Sequence, residues 1–196
     1  MGAWGKKTLG KVLEEVTQRY PENAALIFKD QRISYGELLG KSRALAKGLT
    51  ALGVGRGDKV SIWAGNCPEW VYTQMATALI GAVLVPVNTR FRTSELEYIL
   101  GQSESTTLVM VDRFLNIDNL GMLKEIAPEM DGQVAGQLRL KPLPLLKNVI
   151  LLGERKMPGT FSYSGVMREI PDPGNIPNFR QPHESFSSAG LKASRR

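Results

Sequence analysis

Apolar residues recur along this chain with the two periods that separate helices from strands. Behind Thr8, a residue type that caps helix N-termini, Leu9, Val12, Leu13, Val16 and Tyr20 follow a helical repeat that Pro21 ends, so the pattern predicts a surface helix over 8–20. Residues 24–29, the pair Asp30 and Gln31, and residues 32–34 then read as a strand, a turn and a strand, which makes a short hairpin. Ser34 and Glu37 have the spacing of a capping box. It opens a helix whose Leu38, Leu45, Leu49 and Leu52 share one face, and Gly53 is placed to end it in the left-handed conformation.

Beyond Lys59 the pattern changes to short apolar runs without alternation, at 59–64, 82–87, 106–111 and 148–152. Helical segments separate them. One is capped by Asn66 or Cys67, carries Pro68 in its first turn and extends to about Ile80. Another starts at Thr93 or Ser94, with Ser94 and Glu97 spaced as a second capping box, and a third covers 120–130. Strands that are apolar throughout are buried on both faces, and strands alternating with helices are parallel with right-handed crossovers. The expected fold class is therefore α/β: an open, doubly wound, mostly parallel sheet with crossover helices. It belongs to a domain over 1–170, with a looped stretch at 132–147 around Pro142 and Pro144. Residues 171–196, with Pro171, Pro173, Pro177 and Pro182 and a Ser-rich end lacking apolar periodicity, are expected to form an extended or disordered tail.

Composition narrows the function. A length of 196 residues suits one domain with a real core. A single cysteine, Cys67, excludes an internal disulfide and points to a reducing, cytoplasmic setting, and a single histidine, His183, excludes a histidine-rich metal site. Half of the net charge of +6 falls within 176–196, and the rest is mixed-sign surface without an aromatic-interleaved basic stripe, so no nucleic-acid partner is expected. The amino terminus has no secretory pattern, and Lys6 stands where a myristoylation signal needs Ser or Thr. The uncharged run 70–89 is interrupted by Thr73, Gln74, Thr77, Gly81, Pro86 and Asn88, which favours a buried helix and strand over a transmembrane segment.

Few residues suggest chemistry by themselves. Gly53, Gly55 and Gly57 resemble a phosphate loop in composition only, since they close a helix and precede a strand, the reverse of a dinucleotide fingerprint. A Cys67–His183 couple would pair a cap position with a residue in the proline-rich tail. The pairs Glu14 with Glu15 and Glu95 with Glu97 read as solvated helix faces. Arg90 and Arg92, flanking Phe91 after a predicted parallel strand, stand where open α/β sheets place ligands and where a guanidinium could hold an anion.

The order of phrases goes further. Ile33-Ser34-Tyr35-Gly36-Glu37-Leu38, the run Leu52 to Val60, Asn66-Cys67-Pro68-Glu69-Trp70 and the run Gly81 to Arg90, continued by Glu95-Leu96, Tyr98-Ile99-Leu100 and Val111-Asp112, resemble the start of the AMP-forming acyl-CoA synthetases, an adenylate-forming superfamily. The resemblance covers about 8–170 and is nearest to medium- or long-chain acyl-CoA synthetases.

That resemblance implies a two-step reaction. A fatty acid carboxylate attacks the α-phosphorus of ATP to give acyl-adenylate and pyrophosphate, and the coenzyme A thiol then displaces AMP. The complete family enzyme uses ATP, Mg2+ and CoA, with a Ser/Thr/Gly-rich phosphate loop ending in Pro-Lys-Gly and later motifs that hold adenine, ribose and a catalytic lysine. Here Phe186 to Lys192 falls at the loop position but lacks the Gly-Thr-Thr run and the proline; Ser187, Ser188, Gly190 and Lys192 are its candidate phosphate contacts. No catalytic residue or metal ligand is assigned. The chain is thus expected to be a truncated amino-terminal portion of an acyl-CoA ligase that is not catalytically complete and binds none of these cofactors well alone. The alternative expectation is a non-catalytic module pairing with a separate carboxyl-terminal synthetase chain or with a second copy.

Overall fold

A computed structural model describes residues 7–152 and 157–168. The elements, in chain order, are α1 (Leu9–Arg19), β1 (Ala24–Phe28), β2 (Gln31–Ser34), α2 (Tyr35–Ala51), β3 (Lys59–Trp63), α3 (Pro68–Ile80), β4 (Val83–Pro86), α4 (Thr93–Gln102), β5 (Ser105–Met110), α5 (Asn119–Ile126), a 3-10 turn (Pro128–Gly132), β6 (Asn148–Leu151), β7 (Phe161–Ser162) and α6 (Tyr163–Arg168). β1 and β2 form a separate antiparallel hairpin, and the other five strands form one parallel sheet in the order β4-β3-β5-β6-β7.

Alternation along the strands divides the core in two. Val60, Ile62, Val109 and Ile150 belong to the cluster that includes α2 and α3 residues such as Leu45, Leu49 and Ala76, together with Val166 of α6. Trp63, Leu108, Met110, Val149 and Leu151 belong to the other, with Leu96 and Leu100 of α4 and Leu123 of α5. The expected loop before β6 is irregular, yet it is anchored: Leu138, Leu140, Leu143 and Leu146 are all buried in that second cluster. The fold class read from the sequence is the one observed.

Boundaries differ in instructive places. The hairpin turns at Lys29 and Asp30, so Gln31 pairs with Phe28 rather than lying in the turn; Lys29 has φ 52°, a left-handed conformation unusual for lysine. The capping box expected at Ser94 and Glu97 is not formed. Helix α4 starts at Thr93, one of the two expected starts, and the pairing lies two residues earlier, the Glu95 carboxylate accepting the Arg92 N–H at 2.8 Å. The helix expected over 120–130 breaks at Ala127, because the residue before Pro128 is disfavoured in helical conformation, and the chain continues as a 3-10 turn. β7 and α6 carry no recognisable pattern in the sequence and were not expected.

Other local signals are realised as expected. Ser34 Oγ accepts the Glu37 N–H at 3.2 Å while the Glu37 carboxylate accepts the Ser34 N–H at 2.8 Å. Gly53, at φ 84°, follows α2, with Gly53 N–H donating to Thr50 O and Val54 N–H to Leu49 O, the double bond of a Schellman motif. The uncharged run 70–89 is helix α3 followed by strand β4, and no helix among the described residues is long and apolar enough to cross a membrane.

Candidate functional site

Strand order fixes where a ligand could sit. From β3 the chain crosses by α3 to β4 on one side, then returns over β3 by α4 to β5 on the other. At the carboxyl ends of β3 and β5 the chain therefore departs towards opposite faces, and in open α/β sheets the crevice at this switch of direction is the usual ligand site.

The crevice is built from 64–67 on one side and 111–117 on the other. The Phe114 ring lies so close over Gly65 that no side chain fits there; any Cβ would collide with it. Phe114 and Ile117 exchange backbone hydrogen bonds of 3.0 and 2.9 Å across a tight turn. At its tip Leu115 has φ 54°, a strained conformation for leucine, and its side chain is 81% exposed. Beneath the edge, the fully buried Trp63 donates its indole N–H to Asn88 O at 3.1 Å, and Asn88 Oδ1 accepts the Arg90 N–H at 3.0 Å. Arg90 and Arg92 are brought to this edge, both exposed, with Phe91 between them packed onto the second core cluster. Arg113, which sequence reasoning passed over, joins them at the exit of β5.

Four helices point their amino termini at this edge: α3, α4 and α5 because each follows a strand, and α2 because it runs back against β3 through a short connection. Such termini attract anions, and an acid of the chain itself stands in or beside the first turn of each. Glu37 completes the box on α2; Glu69 stands in the first turn of α3, whose first residue, Pro68, has no N–H; Glu95 accepts the Arg92 N–H; Asp118 accepts the Gly121 N–H at 3.1 Å. Among the described residues no group of three His, Cys, Asp or Glu side chains could hold a metal ion.

The nucleophile candidate is equally poor. Burial pushes the Cys67 thiol up from its ordinary range, against smaller opposing effects from nearby peptide N–H groups, so it stays protonated at neutral pH. Burial and the Glu69 carboxylate likewise raise Tyr163, whose hydroxyl is fully enclosed, and Tyr72, where Glu37 adds to the shift. Glu14 pairs with Arg43 at 2.8 Å and Glu15 with Lys7 at 2.6 Å, as a solvated face requires. His183 and the loop candidates Ser187, Ser188, Gly190 and Lys192 lie outside the described residues.

The opposite end of the sheet is closed. Gly55 N–H donates to the Asp58 carboxylate at 2.8 Å and Gly57 N–H to Gly81 O at 2.9 Å, which makes the glycine run a turn. The Ser61 and Ser105 hydroxyls bond at 2.7 Å, Ser103 joins them at 2.7 Å, and the Asn148 amide reaches Leu52 O at 3.3 Å.

Comparison with known proteins bears on the family and the fold. Residues 13–164 match the family described as AMP-binding enzyme. YngI of Bacillus subtilis is 37% identical over 158 residues, covering 80% of this chain and 29% of that protein. The human mitochondrial medium-chain acyl-CoA ligase ACSF2 is 36% identical over 156 residues, covering 79% of this chain and 25% of the ligase. The chain thus spans under a third of the length of these relatives. Among solved structures, the anthranilate CoA ligase AuaEII in complex with anthranoyl-AMP superposes with a TM-score of 0.70 over 84% of this chain and 28% of its own; at 23% identity this likeness concerns the fold.

Proposed function

Because the chain belongs to the family of AMP-binding enzymes, we propose that it supplies the first α/β subdomain of an acid–thiol ligase of the acyl-CoA-forming kind, and that adenylation requires polypeptide beyond its described residues. The observation that carries this reading is the match of residues 13–164 to that family by a chain that spans under a third of its relatives' length.

In a complete enzyme ATP supplies the adenylyl group and CoA the accepting thiol. The part played by this chain is positional. Its sheet holds a stiff wall in which Phe114 seals Gly65 and Trp63 fixes the backbone at Asn88. Arg90, Arg92 and Arg113 present exposed guanidinium groups on the rim, suited to an anionic group that another segment brings.

The test is direct. Purified chain is incubated with ATP, Mg2+, CoA and fatty acids of graded length while AMP release is followed. No turnover is expected from the chain alone, and AMP release at about 1 per second or faster, an ordinary enzymatic rate, overturns the reading.

A further inference from the structure

The irregular strap between the 3-10 turn and β6 divides its side chains by direction. Leu138, Leu140, Leu143 and Leu146 are buried in the second core cluster, while Arg139, Lys141, Pro144, Leu145 and Lys147 face solvent. Leu145 leaves 47% of its surface in water although Leu146 beside it is fully buried. No acid occurs from Leu138 to Lys147.

The backbone of the strap is tied down. The Gln133 carboxamide accepts the Arg139 N–H at 2.6 Å and donates to Arg139 O at 3.2 Å, Glu129 accepts the Lys141 N–H, and the Lys147 N–H donates to Thr106 O at 2.9 Å. The first pair of bonds brings Val134, 66% exposed, beside Arg139. What is left over is on the outside. Among the described residues Arg139, Lys141 and Lys147 join no ion pair, whereas Lys7, Lys11, Arg43, Lys59 and Lys124 all do. Of the two acids in the preceding turn, Asp131 is paired with Lys124 at 2.7 Å, and Glu129 reaches the strap through the Lys141 backbone and offsets part of that one charge.

Unpaired cations interleaved with protruding apolar side chains fit a partner that is anionic at its face and apolar beneath it. We propose that this strap docks the chain on a bilayer containing anionic phospholipid: Arg139, Lys141 and Lys147 meet the phosphates, and Val134 and Leu145 enter the headgroup layer between them. A nucleic acid would leave the apolar pair in water, since the strap has no aromatic ring on which a base could stack. The strap ends at the amino end of β6, away from the crevice at the carboxyl ends, so docking leaves the crevice uncovered. The proposal stands independently of the ligase reading.

Flotation of the full chain with vesicles tests it. Vesicles of two parts phosphatidylcholine to one of phosphatidylglycerol are expected to carry the chain, and phosphatidylcholine alone is not. A basic residue near an anionic surface is worth about a factor of five in partitioning, so Arg139→Gln, Lys141→Gln and Lys147→Gln together should lower it about a hundredfold. Lys141→Arg with Lys147→Arg, which keeps the charge, should float as the unaltered chain does. Val134→Ser with Leu145→Ser should cost about tenfold without changing the salt dependence. All these side chains are exposed, and unchanged melting temperatures check that the variants fold. Failure of the unaltered chain to float overturns the proposal. So does flotation that survives the three Gln substitutions, as it would if Arg180, Lys192, Arg195 and Arg196 carried it, or an equal loss on neutralising the exposed Arg19, Arg32 and Lys41, which would reduce binding to net charge. Binding indifferent to the Ser substitutions and competed away by a soluble polyanion assigns the strap to a soluble acidic partner and also overturns it. None of these outcomes touches the ligase reading, which AMP release tests.

Discussion

Gly65 is a residue whose identity is dictated by a neighbour remote in sequence. Because the Phe114 ring occupies the volume a Cβ would need, Gly65→Ala must displace either the ring or the backbone. A loss of about 1–3 kcal/mol in urea unfolding is expected, the usual range for overpacking. Adding Phe114→Leu should return part of it, and strict additivity in the double-mutant cycle would contradict the contact. A second residue carries a pH dependence. The Glu129 carboxylate accepts the Lys141 N–H at 2.9 Å, and this bond first, with the Lys141 charge adding to it, holds its pKa below the usual value of 4.5. A depressed carboxyl stabilises the folded loop above the unfolded pKa and loses that contribution as pH falls through the lower folded value. The Lys141 amide is therefore expected to exchange faster, relative to its intrinsic rate, as pH drops below about 4.5, and Glu129→Gln should flatten that profile.

Among the elements, α6 depends most on a single position. Its Val166 carbonyl sits where a Cβ on Gly48 of α2 would have to go, so the two helices meet backbone to backbone. Gly48→Ala gains helix propensity but forces α6 away, and the second effect should prevail at a net cost of about 1–3 kcal/mol. Exchange should accelerate in 163–168 while β3 and β5 stay protected; unchanged protection of α6 would refute this account. This dependence also explains why α6 and β7 were not legible in the sequence. A two-residue strand has no period, and the glycine that admits α6 lies far away in the chain. The parallel strands were legible for the opposite reason, since burial on both faces leaves a continuous apolar run such as Val60 to Trp63 that needs no partner to be recognised. Turn position in the hairpin was not, because no propensity assigns a positive φ to Lys29.

At the level of the whole molecule, the two ends of the sheet differ in kind. One is finished: the glycine turn, the serine hydroxyl chain and the Asn148 amide close it with the protein's own groups. The other gathers exposed or strained groups, Leu115 and the three arginines among them. Sequence reasoning located part of that end through Arg90 and Arg92, because the position after a parallel strand can be read locally. It missed the Gly65–Phe114 contact and Arg113, which become neighbours only through the crossover over β3. Of the acids at the helix amino termini only Glu37 was readable as part of a cap; that Glu69, Glu95 and Asp118 stand with it at one edge is a property of the topology.

Trp63 gives that open end a voice of its own. Its indole is sealed from water at the last position of β3, and its single donor is committed to the backbone at the start of the arginine-bearing rim. Buried as it is, this ring should emit at shorter wavelength than an exposed tryptophan, and once Trp4 and Trp70 are replaced by Phe, whatever settles on the rim and pulls at Asn88 is expected to shift the colour and lifetime of its light.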